Sequence, residues 1–161
     1  MSVQSIIETL NKLISIHRQL LDLSIQKTEI VKEGQIEKLQ SVLVKERKLV
    51  QQLEKEETVR HEEVKNWFAQ QGLSNDEATM TNLLNHIENE IEKIELEEHA
   101  VQLTDLIVKL KQQEQLNLAL IHQSMQFVQL SIDLLSPSLK NLNYGDKQQP
   151  TVNRSLFDSK A

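Results

Sequence analysis

VQLTDLIVKLKQQEQLNLALIHQSMQFVQLSIDLL, residues 101–135, decides how this chain is read. It contains neither glycine nor proline, and its apolar residues recur at helical spacing. Working outward, no glycine or proline occurs from Leu73 to Ser136, and before that only Gly34 and Gly72 interrupt the chain. A glycine costs a helix interior about 1 kcal/mol and a proline about 3, so their near-absence permits very long helices. Of the 161 residues 39% are hydrophobic and only 3% aromatic, so the apolar content is mostly Leu, Ile and Val. The expectation is an all-α fold: an elongated, coiled-coil-like antiparallel hairpin or bundle of three to four long helices, with a disordered C-terminal tail. Rods of this kind hold other helices, so function is sought on a surface rather than in a pocket.

The first helix is expected at about 3–33. Alternating steps of four and three pick out Val3, Ile7, Leu10, Ile14, His17, Leu21, Ser24, Thr28 and Val31. Gly34 follows where a helix C-cap belongs. So short a break favours an antiparallel return over a straight continuation. The second helix, about 35–70, places Ile36, Leu39, Leu43, Glu46, Val50, Leu53, Glu57, Arg60, Val64 and Trp67 on one seam. Its polar members predict a thinner contact in mid-seam. Gly72 ends that element, and Ser74 with Glu77 forms an S-x-x-E capping box for a third helix at 74–87. A fourth helix is expected at 88–135, stopped by Pro137. A rod domain, 1–136, is thus followed by a flexible tail, 137–161.

On a projection of about 100° per residue, the apolar residues of the last helix cover an arc roughly 240° wide, against the ≳100° that one-sided packing needs. Only a strip with Gln115, His122, Gln126, Gln129 and Asp133 is plainly polar. A rod of two or three helices cannot cover that arc, so part of it meets another chain or forms the centre of a bundle. Leu120, Phe127 and Leu134 extend the seam of Leu103, Leu106 and Leu110 and are expected to pack within the rod. Leu118, Ile121, Met125, Val128, Ile132 and Leu135 are then the candidate partner-binding residues, as a groove for an amphipathic helix. Asn117, Ser124 and Ser131, spaced by sevens, put small polar groups into the seam and suit a register-setting or reversible contact.

Charge narrows the partners. The chain carries −6 in all; residues 72–136 hold 3 basic and 11 acidic groups, while 137–161 hold 4 and 2. An acidic body argues against nucleic acid and against an anionic membrane surface. No stretch is apolar enough to insert into a membrane. There is no cysteine and no secretory signal, in keeping with a cytoplasmic location. The sequence holds no carboxylate-bridged E-x-x-H pair, no nucleophile elbow and no phosphate loop. His86 with Glu90, and Glu95 with His99, are two-ligand pairs in a glutamate-rich stretch, short of the three or four ligands a transition metal takes. No metal, cofactor or catalytic residue is expected.

These pieces resemble, in order, the FlgN family of type III export chaperones for flagellar hook–filament junction proteins. Leu20-Leu21-Asp22-Leu23 through Lys27-Thr28, Gly34-Gln35-Ile36 and Glu46-x-x-Leu49 resemble the family's first hairpin. Asn117 through Leu120, Phe127, Leu134 and Pro137 resemble its long last helix. Tyr144-Gly145 stands where the family often has a Leu-Tyr-Gly-like element, with Asn143 in place of the apolar residue, and the closing Leu-Phe-Asp-Ser-Lys-Ala is similar to tails found in the family. The resemblance implies a non-enzymatic, cytoplasmic chaperone whose partners are the hook-associated (junction) proteins and the flagellar export gate. It assigns client contact to the last helix and gate docking to Tyr144. The alternative is a homo-oligomeric structural or adaptor coiled coil, and a weak homodimer stays open under either reading.

Overall fold

The computed structural model describes the backbone of residues 2–142 and the side chains of 2–135. Among the described residues every regular element is helical, as expected: α1 (Val3–Glu33), α2 (Ile36–Gln70), a 3-10 turn (Asn75–Glu77), α3 (Met80–His86) and α4 (Glu90–Leu142). The chain divides into two compact units, residues 1–122 and 123–161.

In the first unit α1 and α2 form an antiparallel hairpin. Gly34 makes the reversal: at φ 68° its backbone is left-handed, its N–H reaches Val31 O (3.2 Å), and the next N–H, of Gln35, reaches Ile30 O (3.1 Å). That pair of bonds is a Schellman cap, satisfying carbonyls the helix end would otherwise orphan. Gly72, at φ 71°, repeats the device after α2, with Leu73 N–H on Phe68 O. Both glycine breaks read from the sequence are therefore real helix ends.

α1 is the inner helix. After Val3 its buried residues pair up as Ile6–Ile7, Thr9–Leu10, Leu13–Ile14 and Ile16–His17, then Leu20, Leu23–Ser24 and Lys27–Thr28. A single seam would bury one column; this helix has neighbours on two sides and buries a broad face. α2 is narrower, and its seam differs from the expected one. Leu39, Glu46, Leu53, Arg60 and Trp67 keep inner or half-buried positions, but the alternating column is Val42, Leu49, Glu56 and Glu63. Ile36, Leu43 and Val50, expected inside, are exposed. Both columns have a period of seven; which one turns inward depends on the side on which α1 lies.

The expected third helix at 74–87 is broken in two. Ser74 caps the 3-10 turn through Asp76 N–H, and Thr79 caps α3 through Asn82 N–H. On one continuous helix Ala78 would point away from Met80 and Leu84. The break lets all three pack against the same core. That core gathers Val3, Ile6, Ile7 and Leu10 of α1, Val64, Trp67 and Phe68 of α2, Leu83 and Ile87 around α3, and Leu96 of α4. Ile87 leaves the helix with extended backbone, and Asn89 restarts it by accepting from Ile91 N–H (3.0 Å) and Glu92 N–H (3.3 Å). α4 does not stop at Pro137 but continues to Leu142. Proline removes one N–H donor and strains the turn before it, yet leaves helical geometry open to Leu139 and Lys140, which favour helix. The tail expected from 137 lies from residue 143 on outside the described residues.

Candidate functional site

Midway along the first unit, where the heptad pattern calls for apolar side chains, α1 meets α4 through a polar layer. Asn117 is 1% exposed, and its Nδ2 donates to Ser24 O (2.8 Å) and Ser24 Oγ (3.0 Å). Its Oδ1 accepts from Thr28 Oγ1, which in turn accepts from Gln113 Nε2. Ser24 Oγ donates to Glu114 Oε1 (2.8 Å). Lys27 completes the layer, with Nζ 2.8 Å from Glu46 Oε1 on α2 and 3.1 Å from Glu114 Oε2 on α4. Burial alone would push the Lys27 ammonium down; its hydrogen bonds and charge contacts with Glu46 and Glu114 outweigh that and hold it above the ordinary lysine value. One lysine thus ties three helices together.

The sequence pattern marked Ser24, Thr28, Glu46 and Asn117 as polar seam members. It missed Lys27, Gln113 and Glu114, because long charged side chains give no periodic signal. The layer also fixes the extent of cover. With Thr28 level with Asn117, and α1 ending at Glu33, α1 can furnish partners to α4 only to about residue 122 at the common rise of about 1.5 Å per residue.

Beside the layer, Leu10, Leu13 and His17 floor a cavity of about 350 Å³, with Leu53 on one wall and Leu103 and Ile107 on the other. Arg60 holds Glu57 at its rim through Nε (2.9 Å) and Nη2. That grip, against the opposing effect of burial, keeps the Glu57 carboxyl below its usual range. The floor histidine is structural: His17 Nδ1 donates to Leu13 O (2.7 Å), as His86 does to Asn82 O and His99 to Glu95 O. Among the described residues no three His, Cys, Asp or Glu side chains are grouped to hold a metal ion. No helix among them is long and apolar enough to cross a membrane.

The described part of the second unit is the end of α4, apolar on all sides but the strip of Gln126, Gln129 and Asp133. Met125 is 43% exposed, Phe127 69% and Leu134 71%, and Val128, Leu130, Ile132 and Leu135 are exposed too. Within it Gln129 Nε2 donates to Asp133 Oδ1 (3.0 Å) and Ser131 Oγ to Phe127 O (3.0 Å). Phe127 and Leu134, assigned to packing within the rod, are more exposed than Met125; of that column only Leu120 is half-buried. The seam of Leu103, Leu106 and Leu110 runs into Asn117, and α1 ends soon after. Of the candidate partner-binding residues, Leu118 in the first unit is exposed and Ile121 half-buried, while Met125, Val128, Ile132 and Leu135 of the second are exposed. Tyr144 lies outside the described residues.

Comparison with known proteins adds identity to this geometry. The family described as FlgN protein matches residues 1–151. The uncharacterized protein YvyG of Bacillus subtilis (strain 168) is 33% identical over 165 residues, covering 100% of both chains. No solved structure matches.

Proposed function

The chain belongs to the FlgN family, which implies a flagellar export chaperone rather than an enzyme, and from that premise we propose what it holds and where. It works in the cytoplasm, binds C-terminal helical segments of flagellar hook-associated proteins, and delivers them to the flagellar type III export gate. The observation that carries the reading is the run of exposed apolar side chains from Met125 to Leu135. Such a run in water is costly to solubility and is covered profitably by an amphipathic helix. Client contact falls to Met125, Val128, Ile132 and Leu135, with Leu118 and Ile121 earlier on the same helix. Gate docking falls to Tyr144.

Calorimetry with a synthetic C-terminal segment of a junction protein tests the client assignment. Met125→Glu and Phe127→Glu should both melt like the parent, because neither side chain is needed by the fold. Met125→Glu should lose client binding, and the response of Phe127→Glu tells whether the client wraps one face or both. Normal binding by both variants would sink the assignment. Tyr144→Ala should keep client binding while motility falls; loss of client binding there would move the tail into the client site. The rival reading, a permanent adaptor oligomer, requires one stable oligomer at all concentrations in sedimentation, unaffected by added client segment.

A further inference from the structure

The net charge of the whole chain is −6, and residues 88–105 account for all of it, with six glutamates, Asp105 and one lysine; the rest of the chain is balanced. Through this segment runs a second apolar column, unrelated to the core. Ile94, Val101 and Val108 follow at steps of seven, with Ile91 before them, and all are exposed, Ile91 to 78%. The opposite side of α4 carries Leu96, Leu103 and Leu106, which are buried or half-buried toward α1. The outer column is therefore not the edge of the packed seam. β-Branched residues also gain nothing for a solvated helix face, where Lys, Glu or Gln favour helix more and need no cover. Ile94, Val101 and the exposed carboxylates of Glu97, Glu98 and Asp105 line one shallow depression. Among the described residues none of the carboxylates of 88–105 is in an ion pair.

We propose that the outer face of α4 from Ile91 to Val108 docks a basic amphipathic helix of a partner protein. The occupant follows from the two features together. The column, about 25 Å long at the α-helical rise, matches apolar residues at alternating steps of three and four on a facing helix. The flanking carboxylates attract Lys and Arg on either side of that stripe and repel acidic helices, nucleic acid and anionic lipid. This surface is separate from the stretch 123–135 and does not depend on the client reading.

The probe is a fluorescein-labelled designed peptide of about three heptads, with Leu and Ile at a and d and Lys at e and g; its twin carries Glu at e and g. Anisotropy titration of the full chain should show binding of the Lys peptide, weakened as salt rises from about 50 to about 300 mM, and no binding of the Glu peptide. The double variants Ile94→Ser/Val101→Ser and Glu98→Lys/Asp105→Lys should each weaken the Lys peptide by roughly tenfold or more, equivalent to about 1.4 kcal/mol, with unchanged circular dichroism and unchanged client binding. If the serine variant folds poorly, the charge variant alone decides. Parent-like binding by a folded serine variant would reduce the contact to unspecific ionic attraction and overturn the proposal. Equal binding of the Glu peptide would overturn it too. So would a concentration-dependent dimer of the parent that the serine variant abolishes, since the occupant would then be a second copy.

Discussion

At the scale of single residues, the polar layer around Lys27 is where the protein departs furthest from an apolar rod. Lys27 is nearly buried, while the Glu114 side chain it meets is 43% exposed and Glu46 much less so. Removing one partner of a buried ion pair costs about 3–5 kcal/mol, and exposed pairs give about 0–1. Lys27→Ala should fall between, at about 1–3 kcal/mol by urea unfolding, because Glu46 loses its cation while Glu114 turns to water. The sign of the pH effect is fixed. A lysine held above its ordinary value in the folded state adds stability in full below the unfolded value near about 10.4, and loses it as pH rises through the folded value. The parent's melting temperature should drop more steeply than that of Lys27→Met above about pH 10.4; parallel curves would show that the ion pairs contribute nothing. Asn117→Ala should cost about 1–3 kcal/mol, because the buried layer loses the two bonds from Asn117 Nδ2 to Ser24 and the one its Oδ1 accepts from Thr28.

At the scale of elements, helix ends are set by the glycines and helix faces by neighbours. A Cβ built on Gly34 meets nothing within 4 Å, so the left-handed φ of 68° is the whole obstacle to a side chain there. Gly34→Ala should therefore lose about 1 kcal/mol, or about 2–4 °C in melting midpoint, and keep the hairpin. A loss several times larger would mean that packing at the turn has been overlooked. Ser74, by contrast, presents a correct capping signature and starts only a 3-10 turn. The sequence motif supplied the hydrogen bond; the need to bury Ala78 beside Met80 decided what followed it. The same holds for α2, where two columns of period seven compete and only contact with α1 selects Val42 and Leu49 over Leu43 and Val50.

At the scale of the whole molecule, apolar burial is concentrated where α1 begins, α2 ends, α3 sits and α4 begins. Phe68 is fully buried there, and Phe68→Ala should cost about 3–5 kcal/mol. Amide exchange should be slowest around Ile6–Leu10, Val64–Phe68 and Leu96 and fastest in α4 beyond Gln123; uniform protection along α4 would show that its end is covered in solution. The sequence by itself determined the all-helical class, both glycine helix ends and the over-wide apolar arc of the last helix, because each rests on local backbone preference and periodicity. It also carried the FlgN resemblance that the family comparison upholds. Only the tertiary structure decided which seam of α2 turns inward and that Lys27 joins Glu46 and Glu114. Those outcomes depend on where α1 lies and where it ends relative to α4, and a helix's own periodicity is the same whether a neighbour stands beside it or not.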